Sequence, residues 1–83
     1  MGQTVATPGA LELLPQDELL GALRRHSQGD WGDVDEHDRQ ANEEALAEGL
    51  RLFSVYHTAS GDKFWVITEA DRSATTVLLP EEY

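Results

Sequence analysis

The hydrophobic period changes at Gly49, and no other feature of the chain constrains its fold as strongly. Beyond that glycine, Arg51 to Thr58 and Lys63 to Glu69 are rich in β-branched and aromatic residues at period two. They flank Ala59-Ser60-Gly61-Asp62, a four-residue turn containing glycine. This pattern predicts a β-hairpin. In its second strand Phe64 and Val66 point one way while Trp65 and Ile67 point the other, so both faces of the sheet are apolar. One face is for the helices and the other is left for a partner, which raises the expectation of a homodimer. Thr75 to Leu79 reads as a third strand that Pro80 terminates. Helices come first and strands follow, so the expected class is α+β: N-terminal helices packed on a three-stranded antiparallel meander.

Before Gly49 the period is helical. Thr7-Pro8 reads as an N-cap followed by proline at the first helical position, starting a short helix through Leu11 and Leu14 that Pro15 ends. A second helix follows from Pro15. Its acids Asp17 and Glu18 lie at the positive end of the dipole, and Arg24, Arg25 and His26 lie at the negative end. Leu19, Leu20 and Leu23 make its apolar stripe. Gly29-Asp30-Trp31-Gly32-Asp33 is a tight loop, and a large indole held between turn residues plugs a core, so Trp31 is expected to be at least half buried. Asp33 or Asp35 then caps a long helix, with Glu36 in capping-box spacing from Asp33. That helix runs to about Ala47, with Val34, Ala41, Ala45, Leu46 and Leu50 as its thin apolar set and Gly49 as its stop.

The whole chain, residues 1–83, is expected to be one domain, helical over about 7–48 and β over about 50–80. A domain of this size buries only about 60–65% of its unfolded surface, so the core is thin. Hydrophobic residues make up 40% of the sequence, too many for a disordered acidic tail. The absence of cysteine removes disulfides, thiolate nucleophiles and Cys-ligated zinc. The start Met1-Gly2-Gln3-Thr4-Val5-Ala6 has neither a basic nor an apolar leader region, and Ala6 stands where a myristoylation motif wants Ser or Thr. A cytoplasmic location is therefore expected. The net charge of −10 opposes direct binding to nucleic acid or to an anionic membrane.

That charge is regional. Asp30 to Glu48 holds eight carboxylates (Asp30, Asp33, Asp35, Glu36, Asp38, Glu43, Glu44, Glu48) against the single cation Arg39. A concentrated field of one sign steers a basic partner. Catalytic motifs do not accompany it. Asp33, Asp35, His37 and Glu44 fall at positions one, three, five and twelve of a calcium-loop count, but Asp38 occupies the glycine position and His37 stands where an oxygen ligand belongs. His26, His37 and His57 form no ligand pair at helical spacing and read as surface or helix-end histidines. A hydrolase built from Ser73, Asp71 and His57 has no supporting spacing, and the segment Thr68 to Thr76 reads as a loop braced by its own side chains, with Arg72 pairing an acid. No glycine-rich phosphate loop precedes a helix. No enzyme activity, cofactor or metal is expected.

Gly29-Asp30-Trp31-Gly32-Asp33, Gly49-Leu50-Arg51-Leu52, Trp65 to Ser73 and the ending Leu78-Leu79-Pro80-Glu81-Glu82-Tyr83 together resemble a family of small acidic "plasmid-related" bacterial proteins. The resemblance covers nearly the whole length, from Thr4 to Tyr83. It carries no catalytic residues. It implies a mobile-element context of plasmids and phages, in which small acidic proteins block host defences as anti-CRISPR or anti-restriction factors, some by imitating DNA. The expectation is a non-enzymatic inhibitor that occludes a basic nucleic-acid-binding surface on a protein partner. Its partner-binding residues would be Asp30, Trp31, Asp33, Asp35, Glu36, Asp38, Glu43, Glu44, Glu48, Asp71 and Arg72. Trp31 and Trp65 are the candidate anchors. The alternatives are a self-associating module of the mobile element, or a small metal-dependent enzyme using the Asp/His cluster.

Overall fold

A computed structural model describes residues 2–83 as an α+β domain of three helices and a four-stranded mixed sheet. The strands are β1 (Gln3–Ala6), β2 (Leu52–His57), β3 (Lys63–Thr68) and β4 (Ala74–Leu78); the helices are α1 (Pro8–Leu13), α2 (Gln16–Ser27) and α3 (Glu36–Glu48). A short 3-10 helix, Pro80–Glu82, follows β4. The sheet order is β1-β4-β3-β2, antiparallel except for the parallel pair β1 and β4.

The expected meander is present as β2, β3 and β4, but the sheet has a fourth strand that the sequence did not announce. Gln3–Ala6 is mostly solvent-exposed and shows no alternation, so it carries no local strand signal. Its conformation comes from the unpaired edge of β4: Gln3 N–H donates to the Ser73 carbonyl at 2.9 Å and Thr7 N–H to the Val77 carbonyl at 3.0 Å. Long-range pairing decides this element.

The local signals for the helices held with one-residue precision at several ends. Thr7 caps α1 by accepting from Ala10 N–H, and Pro8 follows at the first position. Asp35 caps α3, its side chain accepting from Asp38 N–H at 2.8 Å, and Gly49 ends it in the left-handed region at φ 70. Among the described residues, no helix is long and apolar enough to cross a membrane.

Alternation along the strands sends Tyr56, Phe64, Val66 and Val77 to one face, where they pack with Ala10 of α1, its C-cap Leu14 and Ala22 of α2. The stripe of α2 differs from the expected one. Leu20 is 52% exposed, while Leu19 and Leu23 join Ala22 and His26 at i, i+3, i+4 and i+7. A second cluster joins Trp31, Ala45 and Leu52, with Val34 packed against it. The expected apolar set of α3 holds for Val34 and Ala45 but not for Ala41, Leu46 and Leu50, which are exposed, and the other buried residue of α3 is the polar Asn42.

Asn42 explains how α3 docks. Its amide nitrogen donates to the Phe53 carbonyl at 2.6 Å and its oxygen accepts from Phe53 N–H at 2.9 Å, as a neighbouring strand would. Two residues on, Val55 N–H donates to the Trp31 carbonyl at 3.0 Å and its carbonyl accepts from Asp33 N–H at 2.7 Å. A side chain and a loop thus seal the outer edge of β2, which would otherwise offer a template for another strand.

Candidate functional site

The sheet face opposite α1 and α2 carries Phe53, Val55, Trp65, Ile67 and Leu78, as the alternation in the hairpin requires. No helix covers it. Phe53 and Trp65 remain half-buried there, their rings meeting edge to face at 5.1 Å, and Tyr83 also meets Trp65 edge to face, at 5.6 Å. The three rings floor a groove of about 380 Å³ that Asp38, Arg51 and Ile67 complete. A neighbouring hollow of about 430 Å³ continues past Phe53 and Trp65 to Asp33, Val34, Asp35, Val55 and Lys63. Aromatic rings therefore form the floor, and carboxylates at the start of α3 form one wall.

The acidic stretch is not one uniform face. With 3.6 residues per turn, Asp38, Asn42 and Ala45 share the side of α3 turned to β2, Glu36 and Glu43 lie on one flank, and Glu44 and Glu48 lie on the other. Several acids have structural duties. Asp30 receives a fork from Arg25 at 2.7 and 3.2 Å, which holds its carboxyl below the usual carboxylate range. Glu36 is held low in the same way by Arg39, whose Nε donates at 3.0 Å. Glu43 accepts from the Trp31 indole N–H at 2.9 Å. Five exposed or half-exposed carboxylates, Asp33, Asp35, Asp38, Glu44 and Glu48, have no Lys or Arg within ion-pair distance among the described residues.

Trp31 is 4% exposed and belongs to the core. Its indole stands edge-on to His26 at 5.7 Å, so its packing energy holds the fold together. Trp65, half-buried on the open face, is the tryptophan a partner can reach. Asp71 and Arg72 lie in the turn between β3 and β4, away from the groove residues. Asp71 accepts from Ser73 N–H at 3.0 Å, and the Ser73 hydroxyl and amide hold its carboxyl below the usual range. Among the described residues Arg72 pairs no acid: its guanidinium donates to the carbonyls of Ala45 and Glu69, each at 3.2 Å, and to that of Leu50. A cation is at home at the carbonyl end of α3.

His26 is the largest departure from expectation. Read as a helix-end residue, it is 2% exposed, with Nδ1 2.6 Å from the Ser54 hydroxyl and Nε2 2.8 Å from that of Thr68, which in turn contacts Thr75 at 2.9 Å. Burial, with a contribution from the Arg72 charge, lowers its pKa from 6.5 to about 4. The chain of hydroxyls stitches the two clusters together. Among the described residues no fully buried side-chain nitrogen or oxygen lacks a partner. The i+7 position from Leu19 was the available signal, masked by the charged residues beside it.

Ser54 beside His26 has the composition of a nucleophile and base, but Ser54 is 0% exposed, so no substrate reaches it. The imagined set of Ser73, Asp71 and His57 is dispersed: His57 is in register with the first residue of β3, whereas Thr75, two residues after Ser73, is in register with its last. Strand rise alone separates those ends by roughly 17 Å. Asp35, His37 and Asp38 bring potential ligand atoms within 4.8 Å of one another, the one such group of three among the described residues, on a largely exposed helix start where Asp35 already serves as the cap. No family model, curated protein or solved structure matches the chain.

Proposed function

We propose that this chain is a non-enzymatic, cytoplasmic binding protein of mobile-element type that occludes a basic nucleic-acid-handling surface of a protein partner, as an anti-defence inhibitor does. The observation that carries the reading is the placement of carboxylates without a Lys or Arg partner among the described residues at the start and on the flank of α3: Asp33, Asp35 and Asp38 along the aromatic groove, with His57 and His37 3.9 and 3.8 Å from Asp33 and Asp38, and Glu44 and Glu48 on the flank. Carboxylates that no Lys or Arg neutralises keep their charge for steering a basic partner, Asp35 while it caps α3. Trp65 and Phe53 supply the apolar contact that steering alone lacks, because aromatic residues dominate interface energy. The full burial of Ser54 behind His26 favours binding over catalysis.

The test is affinity capture of the tagged protein from a host lysate containing its defence complexes, washed at low and then moderate salt. A stoichiometric DNA-handling complex, retained at low salt and released as screening increases, is the expected result. E44K/E48K should reduce its capture while leaving the fold intact. Glu43 is excluded from that variant because it anchors Trp31. Recovery of the protein alone overturns the reading in favour of a self-associating plasmid or phage module. That second reading draws on the same open sheet face, but it brings two identical acidic rims together in a molecule of net charge −10.

A further inference from the structure

The protein twice solves the problem of seating a guanidinium, each time with the same parts. Arg25 lies over the Tyr56 ring, 4.6 Å from its centroid, and forks onto the Asp30 carboxylate. Arg51 lies over the Tyr83 ring at 5.5 Å and donates to its hydroxyl at 3.0 Å, with Glu69 at 4.0 Å. A third set of the same parts stands on the open sheet face. Trp65, flanked edge to face by Phe53 and Tyr83, shares its groove with Asp38, and Asp33 and Asp35 line the continuation. Arg51 also lines this groove, but among the described residues no guanidinium lies over the Trp65 ring. Arg51 is committed to Tyr83, and Lys63, the cation at the far end, forms no ion pair among the described residues.

We infer that this third set is the seat for an arginine side chain of the partner: the guanidinium lies on the Trp65 ring and forks onto Asp38, with Asp33 and Asp35 orienting the flanking chain. The inference rests on the basic-partner reading and specifies which cation that partner presents. Trp is the strongest of the aromatic rings for a cation, and the planar fork of arginine matches a carboxylate where the point charge of lysine does not. Half-burial of the floor excludes part of the competing water, which strengthens both contacts. The groove of about 380 Å³ is large enough for one such side chain and adjoins the second hollow through Asp38, Phe53 and Trp65.

The test titrates the full chain with a short Arg/Gly peptide and with its Lys/Gly counterpart of equal length and charge, following the two indole N–H resonances by NMR. Trp31, whose N–H is tied to Glu43, is the internal control. The expected result is about tenfold tighter binding of the arginine peptide, with movement of the Trp65 resonance and not of the Trp31 resonance. W65L should abolish the preference, and D38N, which keeps the size of the side chain, tests the same seat independently of any effect of W65L on folding. Equal binding of both peptides, insensitive to W65L and D38N, overturns the arginine seat while leaving the basic-partner reading standing. Binding of neither peptide at low salt overturns that reading and the inference together.

Discussion

Replacing His26 by Gln tests the buried histidine that joins the two clusters, and the structure sets both the sign and the size of the effect. Unfolded, His26 titrates near 6.5; folded, burial lowers its pKa to about 4. Between those values the unfolded chain binds a proton that the folded one does not, so stability falls as the pH falls. The contribution is complete above the unfolded pKa, is lost progressively from 6.5 downward, and is exhausted below about 4, for a total of roughly 3 kcal/mol at 1.36 kcal/mol per unit. That is a large fraction of the roughly 4–12 kcal/mol expected of a domain this small. Gln retains an oxygen and a nitrogen to meet Ser54 and Thr68 but does not titrate. The assay is urea unfolding of both proteins at a series of pH values, followed by far-ultraviolet circular dichroism.

In the wild type the stability curve should decline between neutral pH and about pH 4 more steeply than in H26Q, so that the gap between them narrows by roughly 3 kcal/mol. Asp30, Glu36, Asp71 and Glu82, whose carboxyls are all held below their usual range, also lose stabilisation on acidification, at pH values below their unfolded pKa. They do so in both proteins, and their effects cancel in the difference. A gap that stays constant with pH refutes the reasoning, as does a native-state NMR titration of His26 with its midpoint near 6.5.

Two further outcomes test how β2 is sealed. N42L leaves the Phe53 N–H and carbonyl without the amide that pairs both, and should cost about 2–4 kcal/mol in chemical unfolding despite the added apolar volume; an unchanged midpoint would show that water replaces the clasp without penalty. G32A should be more disruptive than G49A. Both glycines have positive φ, but a Cβ at Gly32 would lie 2.0 Å from the Val55 carbonyl oxygen, whereas at Gly49 it would meet nothing within 4 Å, so G49A pays only the conformational cost of about 1 kcal/mol and equal thermal shifts would contradict the bridge.

The helix boundaries were legible in the sequence because their causes are local: Thr7 and Asp35 reach only to the next turn, and Gly49 needs no neighbour to adopt its backbone angle. Trp31 was readable as buried for the same reason, since its loop leaves the indole little else to do. The functional residues were legible in part. The acids and Trp65 are visible by type, but the division of labour among them is not. Asp30, Glu36 and Glu43 look like Asp33, Glu44 and Glu48 until the positions of Arg25, Arg39 and Trp31 are known.

By itself, then, the sequence determined the α+β class, the order of helices before strands, the presence of the hairpin and the regional excess of carboxylates, all of which follow from local propensity and period, whereas the hairpin register, His57 opposite Lys63, leaves one residue more in the turn than the expected four. Tertiary structure alone decided three things. It paired Gln3–Ala6 with β4 across some seventy residues of chain, where no local signal exists. It buried His26 and Asn42, polar residues whose satisfaction depends on hydroxyls and a backbone edge supplied by β2 and β3. And it gathered Phe53, Trp65 and Tyr83 beside Asp38, because only the pairing of strands and the docking of α3 on the edge of β2 bring those rings and that carboxylate to one groove.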